Sequence, residues 1–153
     1  MKITDMSDKL NNLNNEIKRI LSVSGYEDYN DLSNVDYDNS SSEELLLMDE
    51  YNKIVEKLSD VNDTLVYLKR PIEYTGRLYK DSRGRYSIDN YTWTSGSTIE
   101  FLCKDDWHDR EVDGEWVNTP YWAISRMEHN GQDYYIVHYN DMALDGLEVR
   151  VRG

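Results

Sequence analysis

The chain has 153 residues and carries 30 Asp and Glu against 17 Lys and Arg, a formal charge of −13 at pH 7. A surface this acidic repels phosphate backbones and anionic lipid at long range, which argues against direct binding to nucleic acid or membrane and favours a basic protein partner. Hydrophobic residues at 39 % and aromatics at 12 % exclude a disordered tail, so the chain folds.

The first eight residues hold one lysine, two aspartates and no apolar run, unlike a secretory signal, and no stretch approaches the roughly 18 apolar residues of a membrane span. The expectation is a cytoplasmic protein. Met6, Leu10, Leu13, Ile17 and Ile20 then recur at spacings of four and three, the apolar seam of an amphipathic helix, with Thr4 or Asp5 as its cap. From Ser24 to Ser42 the chain holds Glu27, Asp28, Asp31, Asp36 and Asp38, together with Tyr26, Tyr29 and Tyr37, and no basic residue. A connection of this length is usually functional or disordered. It reads as a solvated acidic linker with a short helix around Asp31–Val35, or as a tyrosine-studded recognition loop.

The second helix opens on the capping box Ser41-x-x-Glu44. It continues through a heptad seam of Tyr51, Ile54, Leu58, Val61, Leu65 and Leu68, extended toward its start by Leu45, Leu47 and Met48. Pro71 ends it, since proline disfavours helical geometry in the residue before it. Two such seams predict an antiparallel helical hairpin, with part of the longer seam left for the second domain or for a homodimer.

Composition changes at Arg70-Pro71: all four Trp, both Pro and seven of the eight Gly lie beyond it. The boundary divides a helical domain, 1–70, from a β domain, 71–153. Charge ignores the boundary, with 8 basic against 15 acidic residues before it and 9 against 15 after it. Beyond it, Gly76–Lys80 and Arg85–Ile88 flank the turn Asp81–Gly84, a hairpin. Thr98–Cys103 alternates with Ile99, Phe101 and Cys103 inward and Glu100 outward, which makes the only cysteine a small buried hydrophobe. Tyr121–His129 and Asp133–Tyr139 flank Asn130-Gly131, and Leu147, Val149 and Val151 alternate inward at the end. The fold class is α+β: a helical hairpin followed by a small SH3-like or OB-like antiparallel β-barrel of five to six strands, whose closure removes exposed edges.

Catalytic signatures are missing: there is neither a phosphate loop nor a Gly-x-Ser-x-Gly elbow, and the expectation is a non-enzymatic protein without a cofactor. Glu100 and Glu128 read as surface salt links to Arg126, Arg150 and Arg152. Asp105, Asp106 and His108 are the nearest approach to a metal set, and a solvated polar loop is the simpler reading of Asp105–Asp109. Aromatics carry more information. Residues 71–153 hold eight Tyr, four Trp and one Phe, more than a small barrel buries. Rings among carboxylates resemble a protein-binding surface, in which the rings anchor and the acids select a basic partner. The candidate partner-binding residues are therefore Glu27, Asp28, Tyr29, Asp31, Asp36, Tyr37 and Asp38 in one stretch. The other comprises Asp105, Asp106, Trp107, Asp109, Glu111, Asp113, Glu115 and Trp116, with Trp122 beside it.

Arg70-Pro-Ile72, Gly76-x-Leu78, Gly84-Arg-Tyr86, Ser95-Gly-x-x-Ile-Glu100, Trp122, Met127-Glu-His129, Tyr134-Tyr135 and Gly146-Leu-x-Val-Arg-x-Arg152 resemble an uncharacterised small bacterial domain over residues 69–152. The resemblance implies an origin in plasmids, phages or other mobile elements of Gram-positive bacteria and transfers no catalytic residue. The acidic, tyrosine-rich profile is similar to that of anti-CRISPR proteins, which implies an inhibitor of a basic nucleic-acid-binding protein such as a CRISPR effector nuclease of Cas9 type. The alternatives are an adaptor whose acidity serves solubility alone and, more distantly, a metal-dependent enzyme using Asp105, Asp106 and His108.

Overall fold

The structure, a computed structural model, describes residues 1–153 and divides them into two compact units, Met1–Arg70 and Pro71–Gly153. No helix is long and apolar enough to cross a membrane.

The first unit is built on helix α1 (Ile3–Ser24), the single turn α2 (Tyr26–Tyr29) and helix α3 (Ser42–Lys69). α1 starts earlier than its expected caps: Lys2 is the N-cap, and the Asp5 carboxylate accepts the Lys2 backbone N–H at 2.9 Å. At α3 only half of the capping box forms. Ser41 Oγ accepts the Glu44 N–H at 3.3 Å, whereas Glu44 reaches past Ser41 to the Asp38 N–H at 2.5 Å and so ties the connection to the helix. α3 ends where expected, with Arg70 extended before Pro71.

The helices pack on each other through only part of the expected seams, Ile17 on α1 with Met48 and Leu58 on α3. Burial on α1 falls on Asn14, Ile17, Leu21 and Ser24, and on α3 Val55 is the buried residue, with Met48 and Leu58 packed beside it. Leu13, Ile20, Tyr51, Ile54 and Val61 remain exposed. Each helix thus meets its neighbour on a side adjacent to its richest apolar stripe. The connection between the helices is not the wholly solvated linker that its sequence predicts. Its helical turn falls at Tyr26–Tyr29 instead of Asp31–Val35, and Tyr26 and Leu32 are buried in the same small core. Gly25 makes this possible. It sits at φ +84°, the Asn34 N–H donates back to the Ser24 carbonyl at 3.0 Å, and a Cβ on Gly25 would collide with Ser33 Oγ.

Asn14 is fully buried in this unit, and neither its Oδ1 nor its Nδ2 has a hydrogen-bond partner. An orphaned buried amide carries its full desolvation penalty, so Asn14→Leu is expected to stabilise the unit by about 1–3 kcal/mol. Thermal unfolding followed by helical circular dichroism checks this, and an unchanged or lowered midpoint would show that the amide is satisfied in solution.

The second unit contains ten strands: β1 (Ile72–Arg77), β2 (Tyr79–Lys80), β3 (Tyr86–Ile88), β4 (Tyr91–Thr92), β5 (Thr98–Cys103), β6 (Arg110–Val112), β7 (Glu115–Val117), β8 (Tyr121–His129), β9 (Tyr134–Ile136) and β10 (Glu148–Arg152). Five form one sheet in the order β1-β10-β5-β8-β9, three form β2-β3-β4, and β6-β7 stand as a pair, every ladder antiparallel. The expected closed barrel of five to six strands is therefore replaced by more numerous, shorter strands, and β1 and β9, the two edges of the large sheet, do not pair with each other.

The core follows the alternation read from sequence. Ile99, Phe101 and Cys103 on β5, Met127 on β8 and Val149 on β10 are completely or almost completely buried. Trp93 joins them and satisfies its indole N–H on the Thr98 carbonyl at 3.1 Å. The Asn130-Gly131 hairpin has a four-residue loop. Asn130 Oδ1 accepts the N–H groups of Gln132 and Asp133, and His129 pairs with Tyr134.

Glu100 departs from its expected place on an exposed face. It is 2 % exposed, and both of its carboxylate oxygens accept from guanidinium groups, Oε1 from Arg150 Nε at 2.6 Å and Oε2 from Arg152 Nε at 2.8 Å. The partners are two of those expected, but the pair is buried. Glu128 remains nearer the surface, accepting from Arg126 Nε at 2.7 Å and from Ser95 Oγ at 2.5 Å.

Candidate functional site

Residues 104–120 leave and re-enter the large sheet at one point, since Cys103 and Tyr121 are directly opposite across β5 and β8. The expected polar loop here is an ordered projection. A short 3₁₀ turn, Asp106–His108, leads into the β6-β7 ribbon, in which Arg110 faces Val117, Glu111 faces Trp116 and Val112 faces Glu115. The two-residue turn is Asp113-Gly114, at φ +52° and +80°, the left-handed pair that matches strand twist. This signal lay in the sequence between Arg110-Glu-Val112 and Glu115-Trp-Val117 and was missed there because the acidic composition read as loop.

The base of the projection is laced by polar groups. Asn118 Nδ2 donates to the Asp105 carbonyl at 2.9 Å and to Asp109 Oδ1 at 2.7 Å. Asp105 accepts the Trp107 N–H at 3.1 Å and the Tyr121 hydroxyl at 3.0 Å, and the His108 ring stands edge-on to Tyr121 with centroids 4.5 Å apart. Burial pushes the Asp105 carboxyl upward, but the Trp107 N–H, the Cys103 thiol, the Tyr121 hydroxyl and His108 together outweigh it and hold the group below its ordinary range. Tyr121 is raised well above the ordinary phenol range by the Cys103 thiol first, then by burial and Asp105. These directions describe an anchor: the carboxylate stays ionised and the phenol stays protonated, so the hydrogen bond between them persists.

Above this base the ribbon is solvated on both faces. Trp107 is 77 % and Trp116 74 % exposed, with Val112 and Val117 exposed beside them. An isolated two-stranded ribbon is marginal in water at best, and large rings left in solvent do not stabilise it. The carboxylates divide by role. Asp105 and Asp109 are used in the lacing, whereas Asp106, Glu111, Asp113 and Glu115 are exposed and in no ion pair. Trp122 is set apart from the other two rings. It lies on β8, and the Arg150 guanidinium rests over its face at 4.3 Å. Beside the base, a cavity of about 320 Å³ is lined by Cys103, Asp105, Arg77, Met142 and Leu147, among others.

The first acidic stretch lies in the helical unit. Glu27, Asp28 and Tyr29 are exposed on α2, and Asp31, Asp36 and Tyr37 are exposed along the connection, Tyr29 more open than Tyr37. Asp38 is the structural member: Ser40 donates to it from both hydroxyl and backbone, at 2.6 and 2.9 Å, and these bonds hold its carboxyl below the ordinary range. The two stretches thus belong to separate units. Asp105, Asp106 and His108 do not form a metal set; no three His, Cys, Asp or Glu side chains are grouped to hold an ion.

Neither a curated protein nor a solved structure matches the chain. Residues 76–151 match the family described as Domain of unknown function (DUF5348), in keeping with the resemblance to an uncharacterised domain family read over 69–152. The stretch similar to that family lies within the β unit and includes the tryptophan-bearing ribbon.

Proposed function

We propose that the protein is a non-enzymatic inhibitor that binds a basic, nucleic-acid-binding protein and occupies its nucleic-acid surface. The observation that carries this reading is the projection of residues 104–120, whose 3₁₀ turn and ribbon hold Trp107 and Trp116 in solvent among four exposed carboxylates. Aromatic rings of this kind supply most of the energy of a protein interface, and the surrounding acids select a positive partner and speed its approach. The exposed acids of Glu27–Asp36 extend the same preference to the helical unit. A CRISPR effector nuclease of Cas9 type fits the partner's chemistry, because its guide-target duplex lies in a positively charged channel. The inhibitor would then come from a phage or other mobile element and act in the host cytoplasm.

The test is affinity capture with a panel of purified phage-defence nucleases, followed by titration with salt and with target DNA. Binding is expected to weaken steeply as salt rises and to be displaced by DNA. A complex indifferent to salt and compatible with bound DNA would overturn mimicry and leave an adaptor whose acidity serves solubility.

A further inference from the structure

We infer that the helical unit is a self-association surface, on which the exposed apolar column of α1 in one copy packs against the exposed stripe of α3 in a second copy. On α1, Ile3, Met6, Leu10, Leu13, Ile17 and Ile20 follow one another by three and four residues without a break. Ile17 goes into the core, while Met6, Leu13 and Ile20, seven apart, are 40 %, 49 % and 41 % exposed. On α3, Tyr51, Ile54 and Val61 are 47 %, 51 % and 41 % exposed, and Leu58 between them touches the core. Both open columns therefore border the buried contact between the helices. A seven-residue apolar period is the pattern that another helix reads, through knobs into holes; an extended peptide has no use for it.

The core supports the same conclusion. Only Ile17, Leu21, Tyr26, Leu32 and Val55 are buried apolar residues in this unit of 70 residues. Small units with so little interior commonly complete it by association. Charge selects the occupant. Residues 1–24 carry four basic and three acidic side chains, a net +1, whereas residues 42–70 carry four and seven, a net −3. The five acids between the helices lie on a connection outside both columns. Laying α1 of one copy on α3 of the other joins opposite signs, although the whole chain carries −13. A two-fold axis makes this contact twice, closing the dimer.

Sedimentation of the full chain across the micromolar range tests the inference, with Leu13→Glu and Ile54→Glu as variants. The wild type is expected to sediment as a dimer. Each charge, placed at a half-exposed position that leaves helical circular dichroism intact, is expected to weaken association at least about thirtyfold. A wild type that stays monomeric, or a dimer that survives both charges, would overturn the inference. Should a charged variant lose its helix signal, the concentration dependence of the wild type decides alone. A foreign protein that binds this face of an otherwise monomeric chain would also overturn it.

Discussion

Glu100→Ala is expected to remove about 3–5 kcal/mol from the stability of the β unit, the penalty for breaking a buried ion pair from one side. The carboxylate accepts from Arg150 and Arg152, both largely buried, and it sits on β5 between β10 and β8. Truncation leaves two guanidinium groups facing a void that was built around an anion. Since a small domain has only about 5–15 kcal/mol in hand, roughly a fifth of the margin or more goes with one side chain. Glu100→Gln keeps the shape without the charge and is expected to fall between wild type and alanine. Urea unfolding followed by the fluorescence of the buried Trp93 reads both variants. A loss below about 1 kcal/mol, the scale of an exposed pair, would show that the arginines are solvated without Glu100.

The second large effect concerns binding. Trp107→Ala and Trp116→Ala are each expected to weaken the complex with the captured partner by at least about 2 kcal/mol, roughly thirtyfold, and the double variant to abolish it. Both rings lie in solvent, so folding stability should change by no more than about 0.5 kcal/mol. That separation of affinity from stability distinguishes recognition from structure. Removing Glu111, Asp113 and Glu115 together should act on the association rate and flatten its salt dependence. Calorimetric titration of each variant, paired with its unfolding curve, checks the expectation; full affinity after loss of both tryptophans would remove the ribbon from the interface.

The fold was legible wherever one local rule acted without competition. β5 and β8 appear at their expected residues because period-two alternation was strong and turn signals bounded them. α3 stops before Pro71 for a reason confined to one peptide unit. The readings that failed depended on what an element meets in three dimensions. The seams of α1 and α3 are genuine apolar stripes, but which stripe faces the neighbouring helix depends on their crossing, to which a sequence period is blind. Glu100 read as outward because alternation put it opposite Ile99 and Phe101, and alternation does not reveal that the other face of a sheet can also be covered. In the candidate site, residue types were legible and form was not. Trp107, Trp116 and their acids could be picked out, whereas the lacing by Asn118 joins residues 9 to 14 apart in a pattern that no short motif encodes.

The meeting of Cys103 and Tyr121 across one rung of the sheet has a consequence for how such a domain can diversify. The 17 residues from 104 to 120 form a cassette clipped into the scaffold at a single place. Its length and letters can be rewritten without sliding β5 against β8, so no inward-facing side chain changes sides. A scaffold wired in this way can exchange its reading head for a new target while its interior stays the same.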